Sequence, residues 1–232
     1  MTPDSVDRLR ARAARDDYAS MARLARALYG TGLGPREVLH ECYGVAFPDE
    51  VFVVAEGGLW RLHLLAVFTN QPWQLALPPD RGGPAAMPDG MVDMELRFLA
   101  GDPDLMPLVR IPAADPGRED RIVCYRLSEL GAGRSTVFRL FESSDTEDAL
   151  GCGGSLLEVL HAEHTAAVRR LEKEQRSPLN WGAGSVDEEL DRAYESLDRV
   201  EELRRQAAEQ HGERRTGSPP EGGTSGQDDM TD

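Results

Sequence analysis

Residues 121–141, RIVCYRLSELGAGRSTVFRLF, decide how this chain folds. Two runs rich in β-branched and aromatic residues, Arg121–Leu127 and Ser135–Phe141, flank a loop that contains Gly131 and Gly133. Runs of this composition, separated by a glycine-containing turn, are typical of strands that pair in antiparallel orientation. The stretch therefore predicts two neighbouring antiparallel strands.

Four segments upstream also have the composition of strands. They are Val51–Ala55, Leu59–Phe68, Trp73–Leu77 and Pro107–Ile111. The first two have Gly57 and Gly58 between them and are predicted to form a hairpin. The loops Pro78–Gly90 and Pro112–Asp120 are rich in Pro, Gly and Asp, so the helical crossovers of a parallel doubly wound sheet are missing. We predict an α+β fold with a mixed, mainly antiparallel sheet of about five or six strands.

Helices are predicted on both sides of these strands. Val6–Leu28 has apolar residues at helical spacing, and an Asp-Asp pair divides it, with Asp17 placed to cap the second piece. Pro35 suits the first turn of a helix over Arg36–Tyr43, and Ser155 suits the cap of a long helix that follows it. The sheet is therefore predicted to be flanked by helices.

The last part of the chain predicts a separate helix. Ser185 and Glu188 have the spacing of a capping box, and apolar residues recur from Val186 to Ala207 at steps of three and four. We favour packing of this helix on its own domain, and a symmetry mate or a foreign partner remains an alternative. The predicted organisation is an α+β domain over 1–176, a linker over 177–184, an amphipathic helix over 185–211 and a disordered acidic tail over 212–232.

The chain is strongly acidic. It has 41 acidic against 26 basic residues, a net charge of −15 and a pI of about 4.8, which disfavours binding to nucleic acid or anionic lipid. The longest stretch without charge, Leu62–Pro79, contains amides and prolines that are unsuited to a membrane span, and the first residues lack an apolar secretory segment. We expect a cytoplasmic protein that binds neither nucleic acid nor membrane.

The three cysteines, Cys42, Cys124 and Cys152, are widely spaced and odd in number. This pattern argues against a disulfide framework and indicates reduced thiols. His63 and Cys124 stand in predicted strands, but the sequence pairs neither with a base or nucleophile. A Cys-His enzyme is therefore disfavoured.

A repeated tetrapeptide suggests one alternative function. Glu37 and His40, and again Glu158 and His161, have the Glu-x-x-His spacing with which di-iron helix bundles present metal ligands. Such a site also needs further glutamates on a four-helix bundle, whereas strands are predicted between the two motifs. His164 lies on the apolar stripe of its helix, so we predict a hydrogen-bonded histidine at the edge of the core.

Two acidic loops are candidates for contact with a partner. Acidic loops are ordinarily solvated turns, but here they add to an already anionic protein and favour a basic partner. The residues are Asp102, Asp104, Glu142, Asp145, Glu147 and Asp148.

The order of elements resembles the SUKH superfamily, in which many bacterial members are immunity proteins that bind and neutralise toxins. The matching stretches are Leu33–Leu39 at the second helix, the strands between Val51 and Phe141, and the Ser-led helix at Gly154–Leu160, within residues 16–175. The resemblance implies binding without catalysis or cofactor, with an acidic surface that covers a basic toxin. It implies no individual binding residues, since family members use variable surfaces.

The leading hypothesis is a non-catalytic, immunity-protein-like module that neutralises or regulates a basic protein, with no catalytic, cofactor-binding or metal-binding residues. One alternative is a metal-dependent enzyme that uses the two Glu-x-x-His segments. Another is a structural homo-oligomer assembled through Val186–Ala207.

Overall fold

The computed structural model of the protein describes residues 3–58, 62, 64–86, 90–113, 117–177 and 183–217, with only the backbone at 3, 4, 183–185 and 213–217. Within these residues, one antiparallel sheet forms in which strands adjacent in sequence are also adjacent in space. Its strands are β1 (Val67–Phe68), β2 (Leu105–Ile111), β3 (Arg121–Arg126), β4 (Val137–Phe141) and β5 (Leu150–Gly153). The predicted α+β fold is confirmed.

Helices make up most of the rest of the described chain. They are α1 (Pro3–Arg10), α2 (Tyr18–Tyr29), α3 (Pro35–Tyr43), α4 (Asp49–Glu56), α5 (Trp73–Ala76), α6 (Val92–Gly101), α7 (Leu127–Gly131), α8 (Leu156–Gln175) and α9 (Ala183–Gly217). Single 3-10 turns occur at Pro79–Arg81 and Thr146–Asp148.

Three of the local helix signals in the sequence are confirmed. The Asp17 side chain caps α2 by accepting a hydrogen bond from the Ser20 backbone N–H at 3.2 Å. Pro35 opens α3, which ends at Gly44 in the left-handed conformation that glycine adopts most readily. The Ser155 hydroxyl caps α8, as predicted. Such signals act within one turn of helix and so are readable without tertiary contacts.

Two predicted strands are wrong. Val51–Ala55 lies in α4 and Trp73–Leu77 lies mostly in α5, so the hairpin predicted between Val51–Ala55 and Leu59–Phe68 does not form. A short apolar run that is buried on all sides has the same composition in a strand and in a helix. Every residue from Glu50 to Ala55 is buried, and Pro48 precedes α4 as a helix-start signal.

The sheet differs from the prediction at two further places. Of Leu59–Phe68, only Val67–Phe68 forms a strand, while residues 59–61 and 63, including His63, lie outside the described residues. The fifth strand is instead β5, whose sequence Leu-Gly-Cys-Gly has neither alternation nor β-branched residues. Helix α6 follows the predicted loop Pro78–Gly90 and was not predicted as a helix.

The two faces of the sheet pack against different helices. On one face, Val123, Tyr125 and Val137 join the main core with residues of α2, α4, α5 and α8. On the other, residues of β2, β3 and β4 pack with residues of α6. The alternation of side chains along each strand separates these two apolar layers. The smaller layer consists of Met91, Met94, Phe98, Leu105, Ile122, Cys124 and Leu140.

Helix α9 packs on its own chain. Val200 and Leu203 belong to the main core, while Leu190 and Ala193 pack with the C-terminal half of α8. The helix begins at Ala183, two residues before Ser185, so the predicted capping box of Ser185 and Glu188 is wrong. The helix continues beyond residue 211 to Gly217, and residues 218–232 lie outside the described part. A homo-oligomer through Val186–Ala207 would compete with this packing, and it stays a prediction.

Candidate protein-binding surface

Two of the six predicted partner-binding carboxylates are engaged within the fold. Arg126 lies 2.7 Å from Oδ2 of Asp102 and 3.6 Å from Oδ2 of Asp104. Asp104 also accepts hydrogen bonds from the backbone N–H and the hydroxyl of Ser128, at 2.7 and 2.6 Å. These contacts tie the turn after α6 to the end of β3, so both carboxylates have a structural role.

The other four lie on the turn that joins β4 to β5, which we call the acidic turn (Glu142–Ala149). Glu142, Asp145 and Glu147 line an open pocket of about 490 Å³ between this turn and α6. Asp148 is exposed at the end of the 3-10 turn. None of the four carboxylates forms an ion pair with any residue that the structure describes. The four carboxylates are therefore unpaired among the described residues, of which the Arg97 guanidinium is the one cationic group that lines the same pocket.

Two hydrogen bonds hold the backbone of the acidic turn, one to the residue before β3 and one from a side chain of α6. The Glu142 N–H donates to the Asp120 carbonyl at 3.0 Å, and the Arg97 guanidinium donates to the Glu142 carbonyl. At Gly101 an added Cβ would lie 2.8 Å from Cγ2 of Thr146, so only glycine allows this close approach. The pocket is thus built into the packing of the turn on the helix.

Two large apolar side chains flank the acidic turn. Phe141, the last residue of β4, is 50% exposed, and Leu150, the first residue of β5, is 69% exposed. Leu150 pairs with Arg139, so Phe141 and Leu150 project from the same face of the sheet. Exposed aromatic and aliphatic neighbours beside charged groups are typical of protein-binding surfaces. Neither residue was predicted as a site, because a strand position alone does not show which residues remain uncovered.

The four residues of the two Glu-x-x-His segments have separate surroundings in the described structure. Glu37 accepts a hydrogen bond from the Gly34 backbone N–H at 2.8 Å, as part of the α3 cap, and His40 is exposed. His161 lies 3.3 Å from Glu201 of α9, and Glu158 is exposed. In the part of the chain that the structure describes, no three His, Cys, Asp or Glu side chains are grouped so as to hold a metal ion.

Sequence reasoning missed a buried carboxylate, that of Glu50, which is only 6% exposed. Its Oε1 accepts from the Tyr125 hydroxyl and, at 2.8 Å, from the Leu156 N–H. Its Oε2 accepts from the Ser155 hydroxyl and, at 3.1 Å, from the Leu157 N–H. Burial and the neighbouring carboxylate raise the pKa of Tyr125 well above its usual value. Four donors saturate the carboxylate, which therefore joins α4, β3 and α8 and is not available to a substrate.

His164, Cys42 and Cys124 lie at buried or partly buried positions. His164 is fully buried, with Nδ1 2.7 Å from the Leu160 carbonyl and Nε2 3.0 Å from the Leu65 N–H. This confirms the predicted core histidine, and burial lowers its pKa. Burial raises the pKa of Cys42 and of Cys124 to about 12, which disfavours the reactive thiolate.

Among the residues described, no helix is both long and apolar enough to cross a membrane. No protein-family model matches the chain, and no curated protein and no solved structure shows significant similarity to it.

Proposed function

We propose that this protein is a non-catalytic binding module, immunity-protein-like in action, that neutralises or regulates a basic protein through the β4–β5 hairpin. The observation that carries the proposal is one hairpin with four carboxylates on its turn that are unpaired in the described structure, three of them lining a pocket on the α6 side, and with Phe141 and Leu150 exposed on the opposite face. The pocket suits the long cationic side chain of a partner. Phe141 and Leu150 supply the apolar contact area that affinity requires.

Charge and apolar contact play different parts in this binding. The net charge of −15 and the acidic turn speed the encounter with a basic protein and orient it. Desolvation of Phe141 and Leu150 slows dissociation, because apolar anchors at the centre of an interface contribute most of its binding energy. The complex should therefore weaken with salt but retain an apolar component.

The test uses the tagged full-length chain as bait in a lysate of its source organism. The wild-type bait should recover a stoichiometric partner with a pI above about 9, in a complex that salt weakens. A variant with Glu142→Gln, Asp145→Asn and Glu147→Gln should bind the purified partner about 100-fold more weakly, if each pocket carboxylate contributes about 1 kcal/mol.

The matched control is a variant with Glu189→Gln, Asp191→Asn and Glu195→Gln. These three residues are exposed on α9, and the control makes the same change in net charge away from the hairpin. It should bind like the wild type. Equal weakening of both variants, or the absence of any stoichiometric partner, would contradict the proposed function.

A further inference from the structure

A second pocket lies on the other side of the β4–β5 hairpin and has the opposite charge. It has a volume of about 610 Å³, and its lining includes Arg118, Arg121, Arg139 and Phe141. Glu119 is the one carboxylate among the described lining residues, and its Oε2 accepts a hydrogen bond from the Ser143 hydroxyl at 2.6 Å. Three guanidinium groups thus converge in a protein whose net charge is −15.

The register of the sheet places the ring and two of these arginines on one face. Arg121 pairs with Phe141 and Val123 pairs with Arg139 in the β3–β4 ladder. Directly opposite residues have Cβ atoms about 5 Å apart, and diagonal neighbours such as Arg121 and Arg139 about 7–8 Å apart. Both guanidinium groups can therefore reach a ligand that lies against the Phe141 ring.

Arg121 and Arg139 differ in the contacts that they make within the protein. Arg121 is partly buried and forms an ion pair with Glu163 of α8, so its position is set by the fold. Arg139 is exposed and forms neither a hydrogen bond nor an ion pair with any described residue. Arg139 thus offers all its donors to a ligand, beside a guanidinium that is held in place.

We propose that this pocket binds a small molecule in which a phosphate group is joined to a planar ring, the chemical class of a nucleoside monophosphate. The phosphate lies between Arg139 and Arg121, and the ring stacks on Phe141. A phosphate has more oxygens and more negative charge than a carboxylate, so it is better suited to accept hydrogen bonds from two guanidinium groups at once.

Size and charge are consistent with this ligand. The volume lies within the range of about 300–1,000 Å³ that small-molecule sites occupy. The overall negative charge does not prevent binding, because carboxylates farther away than about 8 Å are largely screened at physiological ionic strength. Glu142, the nearest residue of the acidic turn in sequence, lines the pocket on the α6 side instead. The inference does not rest on the proposed protein partner, and because both use Phe141, a partner bound there would compete with the ligand.

The full-length protein is titrated separately with AMP, adenosine, ribose 5-phosphate and inorganic phosphate. Binding is measured by calorimetry and by NMR. AMP should bind saturably with a Kd of about 1 mM or tighter. Arg139→Gln should weaken AMP and ribose 5-phosphate about tenfold. Phe141→Leu should weaken AMP about tenfold and leave ribose 5-phosphate unchanged, because only AMP carries a ring that stacks.

The matched control is Arg204→Gln, which removes an exposed arginine of α9 that likewise has no ion pair or hydrogen bond to a described residue. This variant should bind AMP as the wild type does. The proposal is overturned if AMP shows no saturable binding up to about 10 mM. It is also overturned if Arg139→Gln behaves like the control, if adenosine binds as tightly as AMP, or if ribose 5-phosphate does so.

Discussion

Replacing Glu50 with glutamine tests the buried contact that joins α4, β3 and α8. The wild-type carboxylate accepts four hydrogen bonds, two on each oxygen. Glutamine keeps one oxygen and turns an NH₂ group toward two of the donors, so two bonds to a charged acceptor are lost. Each such bond contributes about 1.5–3 kcal/mol. Allowing for relaxation, we expect the free energy of unfolding to fall by about 3–5 kcal/mol.

Urea denaturation at neutral pH, followed by circular dichroism, measures this loss as a lower midpoint with an unchanged slope. The control is Glu158→Gln, an exposed carboxylate in the first turn of the same helix α8, which should cost no more than about 0.5 kcal/mol. Tyr125→Phe removes one of the four donors, and its effect should be coupled to that of Glu50→Gln by about 0.5–3 kcal/mol. A loss below about 1 kcal/mol for Glu50→Gln, or strict additivity with Tyr125→Phe, would refute the reasoning.

Two further predictions concern buried titratable groups. Burial lowers the pKa of His164 in the folded protein, so on acidification His164 is protonated in the unfolded chain before it is protonated in the folded protein. The free energy of unfolding should therefore fall as the pH drops from about 6.5 through the folded pKa. The urea midpoint should decrease less with falling pH for His164→Gln than for the wild type. An equal decrease of the midpoint in both proteins would contradict this. Because burial raises the pKa of Cys42 and Cys124 to about 12 and also raises that of Cys152, an aromatic disulfide reagent at pH 8 should label the native protein far more slowly than the urea-unfolded protein. Rapid labelling of native Cys124 would show that the core around β3 opens readily.

Secondary-structure predictions succeeded where a few neighbouring residues carry the signal. Asp17 and Ser155 each cap a helix by bonding to the backbone three residues ahead, and Pro35 needs only its own fixed φ. The strands β3 and β4 were found because their β-branched and aromatic residues are dense, and β2 because it contains a short apolar run between turn-forming loops. The strand predicted over Val51–Ala55 was wrong, because a run that is buried on every side shows no hydrophobic periodicity that would distinguish a helix from a strand.

The candidate surface was only half predicted. The sequence identified all six acidic residues, but only the structure showed that Asp102 and Asp104 are paired with Arg126 while the acidic turn is not. Phe141 and Leu150 were not found, because the strand β5 was missed and exposure depends on which helix covers which part of the sheet.

By itself, the sequence determined the α+β class, the starts of α2, α3 and α8, the central strands and the strong negative charge, because these follow from composition and from contacts within a few residues. Only the tertiary structure decided which carboxylates are neutralised, that Glu50 is buried beneath four donors, and that arginines 121 and 139 converge beside Phe141. These features depend on segments brought together from distant parts of the chain. Which of these side chains are buried or paired depends on how whole helices and strands pack together. A pattern within a few neighbouring residues does not predict it.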